Sequence, residues 1–131
     1  MNQEATDFWQ RALQALATGK HIASSDPDAA ASRAYYSAFY AVSALFSVEG
    51  KTFIRHSGIE TAVHRELVKT NRWPRELGED YAFLLRLRST GDYGGQMHVT
   101  REEALDAIHA TERILSAVHQ ESPKQFPRPA L

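Results

Sequence analysis

The segment from residue 28 to residue 48, DAAASRAYYSAFYAVSALFSV, constrains the fold most, because it is apolar around nearly its whole helical circumference. A helix of this kind is buried on several sides, so other helices must surround it. From residue 29 onward it also contains Arg33, four Ser and three Tyr, which makes it too polar for a membrane span. The segment therefore predicts the central helix of a water-soluble bundle.

Helical periodicity extends over most of the remaining chain. It predicts further helices over about residues 4–21, 57–70, 74–90 and 100–120. Ser57 with Glu60, and Thr100 with Glu103, each have the spacing of a capping box at a helix start. The chain shows no strand-like alternation, and its connections are short. These features predict an all-α fold, an antiparallel bundle of about five helices.

Two segments are predicted to be non-helical. Glycines bracket an irregular loop from Gly91 to Val99, between the last two helices. The end of the chain, SPKQFPRPAL, contains three prolines and cannot continue a helix, so we expect it to be disordered or docked as an extended strand. We therefore divide the chain into a helical bundle, residues 1–121, and a proline-rich tail, residues 122–131.

Composition excludes several classes of protein. The 131-residue chain has no cysteine, which excludes disulfide scaffolds, thiolate catalysis and iron–sulfur clusters. Its first residues lack the basic-then-apolar pattern of a secretory signal, so we expect a cytoplasmic protein without a membrane segment. Neither a phosphate-binding glycine loop nor a serine-hydrolase elbow is found.

The charge is uneven along the chain, although the net charge is only −1. Residues 51–75 hold six Lys or Arg, including Arg55, against two Glu, and they also include His56, His64 and Trp73. A basic stretch with an aromatic residue indicates an anionic partner such as RNA, a nucleotide or an acidic protein. The alternative, which we favour on charge alone, is the solvated face of one helix and its loop.

The fourth predicted helix places an arginine on its core-facing stripe. Leu77, Tyr81, Leu84 and Arg88 follow the helical period, and Asp92 lies four residues after Arg88. A guanidinium beside an apolar seam needs a partner, because burial without one is costly. One interpretation is a structural Arg–Asp pair. The other is a cleft in which Arg88, Asp92 and the following tyrosine, Tyr93, surround a bound phosphate.

Two further groups of residues have competing interpretations. Arg33 and Tyr36 lie on the central helix, where arginines are more often paired than ligand-binding and tyrosines are more often core residues. His56, Glu60 and His64 recur every fourth residue, which on one helix would resemble a metal site. No fourth ligand is evident, so we favour a solvated face and predict neither a metal nor a cofactor.

Three short motifs in order suggest a family. The strings ASRAYYSAFYAVSALFSVEGKTFIRHSGIETAVHREL and LRLRSTGDYGGQMHVTREEALDAIHATERIL resemble the HEPN superfamily over about residues 5–118. The matching positions are Arg33, Tyr35, Tyr36 and Phe39 on the second helix; His56, Ser57 and Gly58 at a turn; and Arg88, Asp92, Tyr93 and Gly94. The resemblance implies a helical bundle of four or five helices that commonly forms a homodimer.

The resemblance also implies two alternative functions. Many members are metal-independent ribonucleases, often toxins encoded beside a minimal nucleotidyltransferase antitoxin. Others bind RNA, a nucleotide or a protein without catalysis. In catalytic members an Arg is followed, after four to six residues, by a His that assists proton transfer with the ribose 2′-OH. Arg88 matches that Arg, and its binding surface would include Arg33, Tyr36, Tyr93 and Arg55.

This chain departs from the catalytic pattern. Asp92 approximates the position of the His, and His98 lies too far along the chain. Arg113 and His119 have the right spacing but stand on the wrong helix, so we treat that match as coincidence. His56 would supply the imidazole only if folding brings it close to Arg88. In some toxins of this family a tyrosine beyond the motif His is adenylylated by the partner nucleotidyltransferase, and Tyr93 occupies a similar place. Its alternative role is loop packing.

Overall fold

The computed structural model describes residues 2–53 and 55–128, and its regular elements are all helical. They are α1 (Gln3–Ile22), α2 (Pro27–Val48), α3 (His56–Ala62), a π-helix (Val63–Val68) that continues α3, α4 (Arg75–Tyr93) and α5 (Arg101–Glu121). The predicted all-α bundle of about five helices is confirmed. None of the helices in the described ranges is both long and apolar enough to cross a membrane.

Helix α2 is the centre of the bundle. It packs against α1, α4 and α5, and 13 of its 22 residues are buried. Most of these are small, so the neighbouring backbones come close enough for polar contacts in the core. The Ser37 hydroxyl donates to the Ala12 carbonyl at 2.7 Å, and the Thr111 hydroxyl of α5 donates to the Ala34 carbonyl at 2.7 Å. Two buried hydroxyls are thereby satisfied across helix interfaces.

The start of α3 differs from the prediction. Its first helical residue is His56, with Arg55 at the N-cap and no side-chain cap, so the predicted Ser57–Glu60 capping box is wrong. At α5 the Thr100 hydroxyl accepts from the Glu103 amide and the Glu103 carboxylate accepts from the Thr100 amide, as predicted. Sequence spacing is the same in both cases. The N-cap of α3 is Arg55, two residues before Ser57, so Ser57 lies in the first turn of the helix rather than at its cap.

Helix α4 extends three residues beyond its predicted end. Gly91, Asp92 and Tyr93 are helical, so the predicted loop from Gly91 to Val99 is shorter than expected. A Cβ on Gly91 would lie 2.7 Å from the Asp28 carbonyl oxygen of α2, so glycine allows the two backbones to touch. The Asp28 carboxylate also accepts from the Val99 amide at 2.7 Å and lies 2.7 Å from His98 Nδ1. The start of α2 thus holds both ends of the loop.

The described part of the tail, residues 122–128, folds back onto α1 and α5. Phe126 is completely buried and packs against Trp9, with 5.3 Å between the ring centroids. The Trp9 indole donates to the Pro127 carbonyl at 2.8 Å, and His119 Nδ1 donates to the Phe126 carbonyl at 2.7 Å. The segment docks through a turn rather than as an extended strand. Residues 129–131 of the predicted tail lie outside the described residues.

We expect Gly91→Ala to lower the free energy of unfolding by about 1–3 kcal/mol, the usual cost of overpacking. The added methyl meets the fixed Asp28 carbonyl, which moves only if α4 and α2 separate. Urea denaturation followed by circular dichroism measures the effect. Ser89→Ala, at an exposed position of the same helix, is the matched control and should change stability by less than about 0.5 kcal/mol. Equal midpoints for both variants would contradict the close contact.

Candidate functional site

Three helices bring polar and aromatic side chains together at one end of the core. Helix α2 contributes Tyr35, Tyr36 and Phe39, α3 contributes His56 at its first position, and α4 contributes Arg88. We call these five residues the Arg–His cluster. Tyr35 is buried, whereas the other four are half-buried and therefore accessible from one side. The cluster joins the three HEPN-like motifs, which are distant in sequence.

Arg88 lies against tyrosine rings and a carboxylate. Its Nη2 donates to the Tyr36 hydroxyl at 2.9 Å, and its guanidinium carbon is 5.4 Å from the ring centroids of both Tyr35 and Tyr36. Tyr93 contributes a third ring at 5.7 Å. Nε lies 3.1 Å from Asp92 Oδ2, but without the alignment of a hydrogen bond. Burial lowers the pKa of Arg88, yet Tyr36, Tyr93 and Asp92 raise it overall, so the group stays charged.

His56 is held beside this charge in its neutral form. Its ring stacks on Phe39 with centroids 4.1 Å apart, and its Nδ1 lies 3.1 Å from the Tyr35 hydroxyl. Burial, and then the positive charge of Arg88, lower the pKa of His56 below its ordinary value of 6.5. The lowered pKa favours the uncharged imidazole at neutral pH, which has a lone pair on one of its two ring nitrogens.

Two tyrosines form the inner wall of the cluster. The Tyr35 and Tyr81 rings meet edge to face at 6.0 Å. Burial raises the pKa of both phenols, more strongly for Tyr81, so both stay protonated. The Tyr81 side chain is completely buried. The wall is thus uncharged, so it adds no charge that would offset the effect of Arg88 on its neighbours.

The other residues singled out in the sequence surround the cluster. Asp92 pairs with Arg88 from the next turn of α4, and Tyr93 is 72% exposed at the end of that helix. Arg33 lies over the opposite part of the site, with its guanidinium carbon 5.1 Å from the Tyr36 ring centroid. Arg55 is exposed at the N-cap of α3, one residue before His56. Tyr81 is the inner-wall residue that sequence analysis assigned only to the core.

The histidine spacing that resembled a metal site has a different outcome. His56 belongs to the cluster, whereas His64 lies on the π-helix, close to Gly78 of α4. Over residues 2–53 and 55–128, no three His, Asp or Glu side chains form a group that could hold a metal ion.

Comparison with known proteins shows the family. The HEPN domain model matches residues 5–122, and this chain belongs to the HEPN domain family. A UPF0332 protein of Thermotoga maritima is 35% identical over 120 residues, which are 90% of this chain and 91% of that protein. A Methanocaldococcus jannaschii protein named "Putative toxin MJ0142" is 33% identical over 108 residues, 82% of this chain and 74% of that protein. A UPF0332 protein of Gloeobacter violaceus is 30% identical over 117 residues, 88% of this chain and 93% of that protein.

We expect Arg88→Gln to raise the pKa of His56 toward 6.5, because the substitution removes a neighbouring positive charge. Titration of the His56 ring protons by NMR measures the value directly. Arg86→Gln is the control, since Arg86 is exposed on α4 and lies over Phe83 rather than in the cluster. An equal pKa in the wild type and in Arg88→Gln would show that Arg88 does not act on His56.

Proposed function

We propose that this protein is a toxin-like HEPN protein that acts on RNA as a metal-independent ribonuclease, with Arg88 and His56 at the reacting phosphate. The observation that supports this most directly is that His56 and Arg88 pack against the same two side chains, Tyr35 and Tyr36, with the pKa of His56 lowered by burial and by the charge of Arg88. An acceptor for a proton and a stabiliser of negative charge are the two groups that RNA cleavage by the ribose 2′-OH requires.

In the proposed reaction His56 is the general base. The reaction requires the tautomer in which Nδ1–H donates to the Tyr35 hydroxyl oxygen, 3.1 Å away, because Nε2 then has the lone pair and takes the proton of a ribose 2′-OH. The 2′-oxygen attacks the adjacent phosphorus and forms a new P–O bond. The bond to the 5′-oxygen breaks, and that oxygen takes a proton from solvent. The products are a 2′,3′-cyclic phosphate and a free 5′-hydroxyl, and Arg88 stabilises the charge on the phosphorane.

Asp92 has a different role in this proposal. It stands near the place where catalytic relatives have the motif His, but it is paired with Arg88 Nε at 3.1 Å. A carboxylate is in general a weaker base than an imidazole. We therefore assign Asp92 to the orientation of Arg88, and the base to His56 from a different helix.

The biological setting of the proposal follows from the family and its named relative. The Methanocaldococcus jannaschii protein bears a toxin name, and this supports a toxin role here. We propose a cytoplasmic homodimer whose RNA-cleaving activity is controlled by a minimal nucleotidyltransferase. The exposed Tyr93 is the proposed modification site, because a nucleotide attached there would lie beside Arg88 and block RNA.

A non-catalytic function is the second candidate. The contacts that favour it are those of Arg88 itself, since its guanidinium already binds the Tyr36 hydroxyl and lies against Asp92. An arginine held in this way is suited to structural support. The cluster would then bind RNA, a nucleotide or a protein partner without chemistry.

Cleavage of total RNA and of tRNA by the purified wild-type protein in EDTA tests the proposal. We expect activity that falls about 10²–10³-fold in Arg88→Ala and about 10²–10⁴-fold in His56→Ala, the usual effects of removing a charge stabiliser or a general base. Arg86→Ala, on the same helix but outside the cluster, should keep full activity. Mass spectrometry of the intact protein excludes prior modification of Tyr93.

The possible outcomes separate the two functions. Cleavage that persists in both Arg88→Ala and His56→Ala would overturn the assignment of the site. No cleavage by unmodified wild-type protein would overturn the ribonuclease and leave the binding function. Circular dichroism shows whether each variant is folded.

A further inference from the structure

A second surface feature adjoins the Arg–His cluster on the side of α1. It is a cavity of about 270 Å³ between α1 and α2, which we call the α1–α2 groove. Its lining consists of Arg11, Gln14, Ala15, Thr18, Arg33 and Tyr40, and none of these residues is acidic. The groove is therefore positively charged, although the protein as a whole has a net charge of −1.

The arginines of the groove are not neutralised. In the part of the chain that the structure describes, no carboxylate lies within 4.0 Å of Arg11 or Arg33. The larger cavity of about 570 Å³ between α4 and α5 is different, because its Arg72 is paired with Glu49 and Glu121. Its Arg113 binds both oxygens of Asp80 at 2.9 Å. Unlike that cavity, the α1–α2 groove offers uncompensated guanidinium groups to an anion.

Aromatic rings connect the groove to the Arg–His cluster. Arg33 and Arg88 lie over the same Tyr36 ring, at 5.1 Å and 5.4 Å from its centroid. The Tyr36 and Tyr40 centroids are 6.0 Å apart, and Arg11 lies 5.9 Å from the Tyr40 centroid. Three arginines and two tyrosines thus form one connected group, in which two arginines lie over Tyr36 and the third lies over Tyr40. Proteins that bind single-stranded nucleic acid combine these same elements, cations for the backbone and flat groups for the bases.

We propose that the α1–α2 groove is a binding subsite for the single-stranded RNA that flanks the bond cleaved at the Arg–His cluster. Arg11 and Arg33 bind successive phosphates of the strand. The guanidinium planes and the Tyr40 ring form the surface on which an unpaired base stacks. This inference rests on the proposed function, and it adds the form of the substrate: a strand several nucleotides long that is unpaired where it crosses α2.

Two features favour RNA over an acidic protein as the occupant. The groove presents flat rings and guanidinium planes, which stack on bases, rather than an apolar pocket that would take a side-chain anchor. It also continues without interruption into a site whose proposed ligand is a phosphodiester. A polyanionic strand would satisfy both sites at once.

Binding of 2′-O-methyl oligoribonucleotides of four and twelve nucleotides, followed by fluorescence anisotropy, tests the groove. These strands have no free 2′-OH and cannot be cleaved, so binding is measured independently of catalysis. For the twelve-nucleotide strand we expect Arg11→Gln/Arg33→Gln to weaken binding about tenfold or more. The slope of log K against log salt should fall by about 1.4, which corresponds to two lost phosphate contacts. Tyr40→Ala should weaken binding about fivefold or more.

The controls distinguish this inference from the proposed function. Arg86→Gln removes an exposed arginine outside both sites and should bind as the wild type does. Equal binding of the twelve-nucleotide strand by the wild type and the double variant would overturn the groove and leave the cleavage site intact. A wild type that cleaves tRNA but does not bind the twelve-nucleotide strand at low salt would also overturn it. Absence of both binding and cleavage would overturn the groove and the proposed ribonuclease together.

Discussion

The near-complete burial of α2 is the constraint on which the rest of the structure depends. Its small residues allow α1, α4 and α5 to approach from three directions, and 13 of its 22 residues are buried as a result. The positions that remain half-exposed include Arg33, Tyr36, Phe39 and Tyr40, whereas the other two large aromatic residues of the helix, Tyr35 and Phe46, are buried. The accessible polar and aromatic side chains of α2 therefore lie along one face of the helix. Both the Arg–His cluster and the α1–α2 groove include residues of this face.

Burial and charge act on the two ionisable groups of the cluster in opposite ways. Arg88 has tyrosine hydroxyls and Asp92 around it, which offset the cost of partial burial and keep it charged. His56 faces the ring of Phe39 and the charge of Arg88, and both disfavour a second positive charge. Pairs of groups whose protonation states are pushed apart by their surroundings are typical of acid–base chemistry at neutral pH. The same pair would also bind an anion without chemistry. A measurement of RNA cleavage therefore distinguishes catalysis from binding.

Sequence periodicity was sufficient for the bundle and for part of the site. It predicted the buried α2, the core-facing stripe that ends at Arg88, and the capping box at Thr100, because each depends on residues of a single helix. It missed the helical conformation of Gly91, which depends on contact with the Asp28 backbone of another helix. The proximity of His56 to Arg88 depends on how α3 packs on α2. From the sequence we could therefore say only that His56 would contribute if folding brought it close to Arg88. The α1–α2 groove was missed for the same reason, since Arg11 and Arg33 belong to different helices.

The position of the imidazole has a structural consequence for the proposed function. When an arginine and its base lie on one helix, local helix formation alone sets their spacing. Here Arg88 is on α4 and His56 is on α3. Tyr35 and Tyr36 of α2 contact both side chains, and Phe39 stacks on His56. The arrangement that we propose for catalysis therefore forms when the three helices have packed together. Changes in the aromatic residues of α2 should affect the site through geometry, even where they leave both Arg88 and His56 in place.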